Sequence, residues 1–438
     1  MLKTLQNALK VDAVRKKLLY TFLMLIVVRF GSQLPVPGVD RSFFSSFFAS
    51  QQGDAFNFFN AITGGSFEQF SVFALSISPY ITSSIIMQLL TIAIPKLEEI
   101  QRDGEDGRKK IAEITRYVTI ILALIQAIAL AIGFGGRGLL INFNWQSVCV
   151  VVLTLTAGSA FLMWIGERIT EKGIGNGISI ILLVNILSGI PTDFSTLYNK
   201  FIKGQGVALG VVAAIIIIAI VIAIVAFVVL LNGGIRKIPV QYSQKMQGRR
   251  AIGGQQSHIP LKVNIAGVIP VIFASTLMST PVIIAQFFTI DEASIGGKIL
   301  KTLTSSNWFN REQPLYTIGL ILYIVLIVAF AYFYTSITFN PLEIANNMKK
   351  QGGFIPGIRP GKPTSDYLNK ILNYIVFIGA VGLIIVAIIP IFFSGWFSIG
   401  SLSFGGTSLI IIVSVILETT KQMESQMLVR NYKGFLND

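Results

Sequence analysis

The chain alternates long apolar runs with shorter polar connections. The runs fall at about 18–34, 72–94, 117–134, 147–165, 178–190, 207–231, 264–288, 315–337, 371–393 and 406–420. A helix needs roughly 20 apolar residues to cross a hydrocarbon core, so the pattern predicts ten membrane-spanning helices. The fifth run is short, with Gly175 and Gly177 before it and Pro191 after it limiting its extent. Ahead of the first run, Leu2, Leu5 and Leu9 recur at helical spacing among Lys3, Lys10, Arg15, Lys16 and Lys17. That pattern over Met1 to Lys17 predicts an amphipathic helix in the membrane interface. The first run ends in Gln33-Leu34-Pro35-Val36-Pro37-Gly38, without a convincing small-residue cleavage site, so a retained span is expected. Residues 55–70, AFNFFNAITGGSFEQF, are apolar but too short and polar to cross. They read either as a re-entrant or pore-lining helix on the outer side or as an interfacial loop.

Composition agrees with lipid as the solvent: 53% of the 438 residues are hydrophobic and only 13% charged, too few to clothe a soluble domain. The net charge of +14 is unevenly spread. The N-terminal segment, the even-numbered connections, Lys370 and the C-terminal tail hold 27 of the 35 lysines and arginines. The odd-numbered connections hold seven: Arg41, Arg137, Lys200, Lys203, Lys298, Lys301 and Arg311. Basic residues mark the cytoplasmic side, so both termini are expected there. Two connections concentrate this charge. Residues 232–263 carry Arg236, Lys237, Lys245, Arg249, Arg250 and Lys262 without an acid, and residues 338–366 carry Lys349, Lys350, Arg359 and Lys362. Part of this excess follows from the topology rule. Length and clustering favour docking surfaces for an anionic partner such as ribosomal RNA or an acidic protein.

Catalytic chemistry is hard to assemble from these residues. Cys149 is the only cysteine and His258, in a basic connection, the only histidine. Neither the G-x-x-x-x-G-K-[ST] nor the H-E-x-x-H pattern occurs, so no enzyme, metal or cofactor is expected. Coupled carriers place ionisable groups within spans. Here only Arg29, late in span one, and Glu418, near the end of span ten, approach that condition, and neither has an evident partner in the sequence. An ion-coupled secondary solute transporter remains the alternative to a conduit for polypeptides. The second run contains Ile77-Ser78-Pro79-Tyr80-Ile81 and the seventh Ile269-Pro270-Val271-Ile272. If these mark a repeat of five spans, its halves have inverted topology.

Several strings carry a resemblance along nearly the whole chain. They are Arg29-Phe30-Gly31 with Pro35-Val36-Pro37-Gly38, Ser78-Pro79-Tyr80-Ile81 with Ile85-Ile86-Met87-Gln88-Leu89-Leu90, and Gly104-Glu105-Asp106-Gly107-Arg108-Lys109-Lys110. Trp164-Ile165-Gly166-Glu167, Gly173-Ile174-Gly175-Asn176-Gly177-Ile178-Ser179, Ile259-Pro260-Leu261-Lys262-Val263-Asn264 and Ala266-Gly267-Val268-Ile269-Pro270 continue it. Phe339-Asn340-Pro341, Gly353-Phe354-Ile355-Pro356-Gly357-Ile358-Arg359-Pro360-Gly361 and Gly405-Gly406-Thr407-Ser408-Leu409 complete it.

In this order they resemble the SecY family, the central subunits of bacterial protein-conducting channels. The resemblance implies an all-α membrane protein of ten helices, in halves 1–200 and 201–438, around an hourglass pore. It implies an aliphatic ring of Ile77, Ile81, Leu182, Ile272 and Ile411, and a plug over about 55–70 with Phe58, Ile62, Gly64, Gly65 and Phe67. Gln88 and Asn264 match polar positions of a lateral gate between spans two and seven. Arg249, Arg250, Lys349, Lys350 and Arg359 match docking loops for the ribosome and the SecA motor ATPase. SecE-like and SecG-like subunits, a translocating polypeptide and the inner (plasma) membrane bilayer are the implied surroundings. Three positions depart from the family's usual residues: Leu182 where isoleucine is frequent, Ser76 in place of glycine, and Asn232-Gly233-Gly234 ending span six.

Overall fold

The computed structural model describes residues 9–43, 46, 60, 62–201, 207–242, 245–247, 250–252, 256–285, 294–309, 314–397 and 406–434. In chain order its helices are α1 (Asp12–Gly31), α2 (Ser78–Ala93), α3 (Pro95–Arg102), α4 (Glu105–Phe134), α5 (Trp145–Lys172), α6 (Gly177–Phe201) and α7 (Val207–Gly233). They continue with α8 (Ile269–Ala285), α9 (Ile295–Leu303), α10 (Thr317–Thr338), α11 (Pro341–Lys350), α12 (Lys362–Phe397) and α13 (Gly406–Gly434). Each predicted run has its helix; α3, α9 and α11 are short additions. Six helices among the described residues pass a strict measure of length and apolarity for crossing a membrane. A seventh passes if α2 and α3, bent by 107° at the break between them, form one broken span. The apolar part of α8 is short, Ile269–Val282, and α1 carries Arg15, Lys16, Lys17 and Arg29.

Two helix limits differ from expectation. Basic residues 15–17 form the first turns of α1; Leu9 and Lys10 are helical ahead of a bend at Val11, and residues 1–8 lie outside the described residues. Lys17 Nζ donates to Gln426 Oε1 of α13 at 3.2 Å, so the basic end of α1 is anchored to another span. Pro191 does not stop α6, which runs on to Phe201. A proline inside a spanning helix is tolerated where surrounding protein takes up the freed backbone group.

Spans from one half of the chain pack mainly with each other. In the first half α1 packs on α5 and α6, α2 on α4, and α4 on α5; in the second, α8 on α10, α10 on α12 and α12 on α13. The halves meet through α6 against α7 and α13, and through α1 against α13. Among the described residues, α2 and α8 are not an extensively packed pair. In the first half the buried core joins residues 67–75 to α4 and α5 through Phe67, Phe70, Leu75, Ala127, Phe134, Val151 and Leu155. Gly158 of α5 sits in contact with the Val72 carbonyl, where any Cβ would collide with backbone.

The connection 232–263 is not a loop. Strands β1 (Ile235–Tyr242) and β4 (Gln256–Lys262) pair antiparallel, with Ile238 opposite Ile259 and Gln241 opposite Gln256; short strands β2 (Lys245–Gln247) and β3 (Arg250–Ile252) pair between them. Alternation explains the ribbon: Ile238 and Val240 point inward while Lys237 and Pro239 are exposed. The second basic connection contains α11 and β5 (Gly353–Phe354), and β5 pairs with β1 through Gln241 and Tyr242. Ile238, Val240 and Leu261 share a core with Met348, Ile355, Leu368 and Ile371. Two connections that read as separate loops are therefore one packed body on the basic side. His258 lies opposite Pro239 in β4, exposed.

Gly158→Val should lower thermal stability in detergent by about 1–3 kcal/mol, because overpacking here meets a carbonyl rather than a movable side chain. An unchanged melting temperature would show that α5 and residue 72 separate freely.

Candidate functional site

The expected ring residues are set by two similar helix starts. Ser76 has φ 50°, Ile77 is the N-cap of α2, and Pro79 lies in the first turn. Ile81 N donates to Ile77 O at 3.0 Å, placing the two isoleucines one turn apart on one face. Gly267, with φ 65°, stands three residues before Pro270, as Ser76 stands three before Pro79. Val268 and Ile272 flank Pro270 at the distances at which Ile77 and Ile81 flank Pro79. Proline fits both places because first-turn amides have no intrahelical acceptor. Ile77, Ile81, Val268 and Ile272 join Ile411 of α13 in one apolar cluster. Leu182 of α6 lines the same cavity as Ile81, Ile272 and Ile411. Ile77, Leu182 and Ile411 are buried, Ile81 and Ile272 half-buried.

Ser76 occupies a backbone conformation that glycine adopts without strain. Its polar groups offset that strain. Ser76 Oγ accepts from Asn185 Nδ2 at 3.2 Å and its carbonyl from Ser159 Oγ at 3.2 Å, while its N–H donates to Phe73 O at 2.8 Å. The departure from glycine thus adds a side-chain tie from the start of α2 to α6, while the tie to α5 runs through a backbone carbonyl that glycine would also offer.

Of the expected plug segment, Asn60, Ile62 and Thr63 are helical, and residues 55–59 and 61 lie outside the described residues. After Ile62 and Thr63 the described chain continues as turns, broken by Gly64 (φ 66°) and Gly65 (φ 82°). Asn60 and Glu68 clasp each other: Asn60 Nδ2 donates to Glu68 Oε2 at 2.9 Å, and Glu68 N to Asn60 Oδ1 at 3.3 Å. The Ile62 carbonyl accepts from Asn185 Nδ2 at 3.1 Å and the Gly64 carbonyl from Arg29 Nη1 at 3.2 Å. Phe67 is buried against the first-half core rather than among the ring residues. Phe58 lies outside the described residues.

A cavity of about 820 Å³ opens beside the ring, and its wall includes Gln88 of α2 and Asn264 just before α8. Gln88 is exposed. Asn264 is buried and donates Nδ2 to Asn232 Oδ1 at 2.9 Å, and Asn232 Nδ2 donates to Ser414 Oγ at 3.0 Å. This relay joins α7, the approach to α8 and α13. Lys262, Glu418 and Lys421 also line the cavity, giving it a charged, wettable region. On the basic body, Lys349 and Lys350 end α11, exposed. Arg359 is exposed between Gly357 (φ 82°) and Gly361 (φ 105°), while its carbonyl accepts from Thr364 Oγ1 at 2.9 Å. Arg249 lies outside the described residues, and Arg250 is described only as backbone of β3.

Asn185, Ser188 and Ser414 were not singled out from the sequence, and Asn232 only as part of a departure from the family's usual residues. The available signal was a polar side chain inside an apolar run, which marks a structural or functional partner by its cost in lipid. A double-mutant cycle on Asn232→Ala and Ser414→Ala should give a coupling of roughly 0.5–1.5 kcal/mol in denaturation of the detergent-solubilised protein. Strict additivity would show that the relay is not a stabilising unit.

The chain resembles known proteins over its length. The SecY family model matches residues 71–420. "Protein translocase subunit SecY" of Halalkalibacterium halodurans is 44% identical over 442 residues, covering 100% of both chains. The solved structure described as "The structure of a protein conducting channel" aligns with TM-score 0.63 at 20% identity, over 94% of this chain and 92% of that one. Sec61 in the canine ribosome-channel complex from the endoplasmic reticulum aligns with TM-score 0.62 at 19% identity, over the same shares. A family match spanning most of the residues, and a relative so similar from end to end, establish that this chain belongs to the SecY family.

Proposed function

We propose that the chain forms a protein-conducting channel that passes unfolded secretory polypeptides across the membrane and releases hydrophobic segments sideways into lipid. The observation that carries this reading is the convergence of Ile77, Ile81, Ile272 and Ile411 in one apolar cluster, with Leu182 beside them, next to a cavity partly lined by charge. An aliphatic collar excludes water and ions yet makes no directional bond to a passing chain. It can deform around many sequences.

Packing supports a hinged assembly of residues 1–200 and 201–438. The halves hold together through α6 with α7 and α13, and through α1 with α13. A seam between α2 and α8 opens on the side where packing is sparse. Gln88 and Asn264 lie along it and favour an arriving signal helix that offers them a better environment than the closed gate does. The segment around residues 60–67 stops the pore from the outer side, with both chain termini in the cytoplasm of a cell whose plasma membrane holds the channel.

The basic body formed by 232–263 and 338–366 receives the ribosome or a SecA-type motor, which supplies the driving force. The similarity to Sec61 of a ribosome-channel complex supports the ribosome as partner. Arg359 is held on a short turn between two glycines in left-handed conformation, and a guanidinium so presented suits bidentate capture of carboxylate or phosphate. Small SecE-like and SecG-like subunits would cover apolar surface such as that of α7, where Ile215, Ile222 and Leu230 are exposed.

A photocrosslinker at Ile272 should trap a secretory chain stalled in transit; repeated failure with an actively translocating complex would remove the collar assignment. Arg359→Glu should depress motor-driven export more than cotranslational insertion. Equal loss of both, measured in reconstituted vesicles, would point to misfolding of the basic body instead of a lost contact.

A further inference from the structure

We propose that Arg29 of α1 is a positioning residue, a releasable tether that holds the pore-closing segment through its backbone. The inference rests on the plug reading above. Arg29 is a cation within a spanning helix, a place where charge persists only with a partner or a task. No carboxylate among the described residues pairs with it. Its Nη1 donates instead to the Gly64 carbonyl at 3.2 Å, across 35 residues of chain.

The surrounding donors show why Arg29 carries the hold on Gly64. Ser188 Oγ lies 3.3 Å from the same carbonyl but only 2.6 Å from the carbonyl of Asn185 in its own helix. A hydroxyl has one proton, and the shorter bond within α6 is the better one. Asn185 Nδ2 bonds Ile62 O and Ser76 Oγ at 3.1 and 3.2 Å, so it spans the segment and the start of α2. All three side chains are directed at carbonyl oxygens. A hold of this kind does not depend on the segment's side chains, and it leaves few orphans on release: Ser188 keeps Asn185 O, Asn185 keeps Ser76, and the guanidinium can turn to water entering the opened pore.

Gly64 is the matching half of the device. A Cβ on it would come 2.8 Å from Arg29 Nη1, 2.8 Å from Asn185 Cα and 2.9 Å from Ser188 Oγ. Gly65 has the same left-handed backbone, and a Cβ there would meet nothing within 4 Å. The two glycines therefore separate loss of the tether from strain in the turn.

The test uses the complete channel complex in sealed vesicles, reading potassium efflux at rest and transport of a precursor whose signal has been shortened. Arg29→Met and Gly64→Ala should each raise resting efflux about tenfold, the factor set by ~1.4 kcal/mol, and both should admit the shortened signal. Arg29→Lys should restore part of the seal, and Gly65→Ala, strained in the turn but clear of Arg29, should leak severalfold less than Gly64→Ala. Efflux from Arg29→Met at the wild-type level would overturn the tether, as would a leak in Gly65→Ala equal to that of Gly64→Ala. Those results leave the channel reading intact if the wild-type complex still carries an ordinary precursor. Failure of the wild-type complex to carry any precursor would overturn the channel reading, and the tether with it.

Discussion

Backbone that is not helical at the depth of a membrane must find its hydrogen bonds within the protein, because lipid supplies none. That constraint bears on residues 62–76, where the chain leaves a helical turn at Thr63 for successive turns ahead of α2. Local bonds satisfy part of it, as in Gly65 N to Asn60 O and Ser71 N to Ser66 O. Side chains of three spans add to it: Arg29 on Gly64 O, Asn185 on Ile62 O and Ser159 on Ser76 O. The positions of α1, α5 and α6 around the segment are thus coupled to where its carbonyls point.

The same segment delivers the first ring residue. Because Ser76 turns the chain through a left-handed conformation, α2 begins at Ser78, and Ile77 and Ile81 occupy its first turn. Gly267 does the same for α8 and Ile272. On the proposed channel reading, side chains borne on helix starts would make a constriction about one turn thick. A thin collar suits a seal that must distort around a passing chain, since few contacts are rearranged at once. Helices running apolar through the whole pore would have made a longer and stiffer barrier.

What could be read from the sequence follows the range of the interactions involved. The spans were legible because twenty apolar residues in a row have few other uses, whereas Ile77, Ile81 and Ile272 were legible only through the family resemblance of the strings that carry them. Pairing of Gln241 with Phe354 was not, since a two-residue strand has no pattern of its own. Nor was the relay from Asn264 through Asn232 to Ser414, whose ends, one ahead of α8 and the other within α13, lie 150 residues apart in sequence. Asn232-Gly233-Gly234 looked like a missing charge at the end of a span; the structure shows instead an amide with two partners. Arg29 was noticed as a lone cation, but only the fold supplies its carbonyl. Pro191 misled because the rule that proline ends a helix comes from water, where a freed carbonyl has solvent as an easy alternative.

The two kinds of interaction at the centre divide the work by their directionality. Apolar contact among Ile77, Ile81, Ile272 and Ile411 varies little as side chains slide, so a collar of these residues, as proposed, would persist around substrates of different bulk. Hydrogen bonds from Arg29 and Asn185 weaken steeply with distance and angle, so they favour one position of the plug segment and lose their hold once it shifts. A collar built from hydrogen-bonding side chains would grip the substrate, and a plug held by greasy contact alone would be displaced gradually and leak throughout. On the proposed reading, placing the directional bonds on backbone carbonyls, behind a non-directional collar, would give a closed state that is well defined and an open state that is indifferent to sequence.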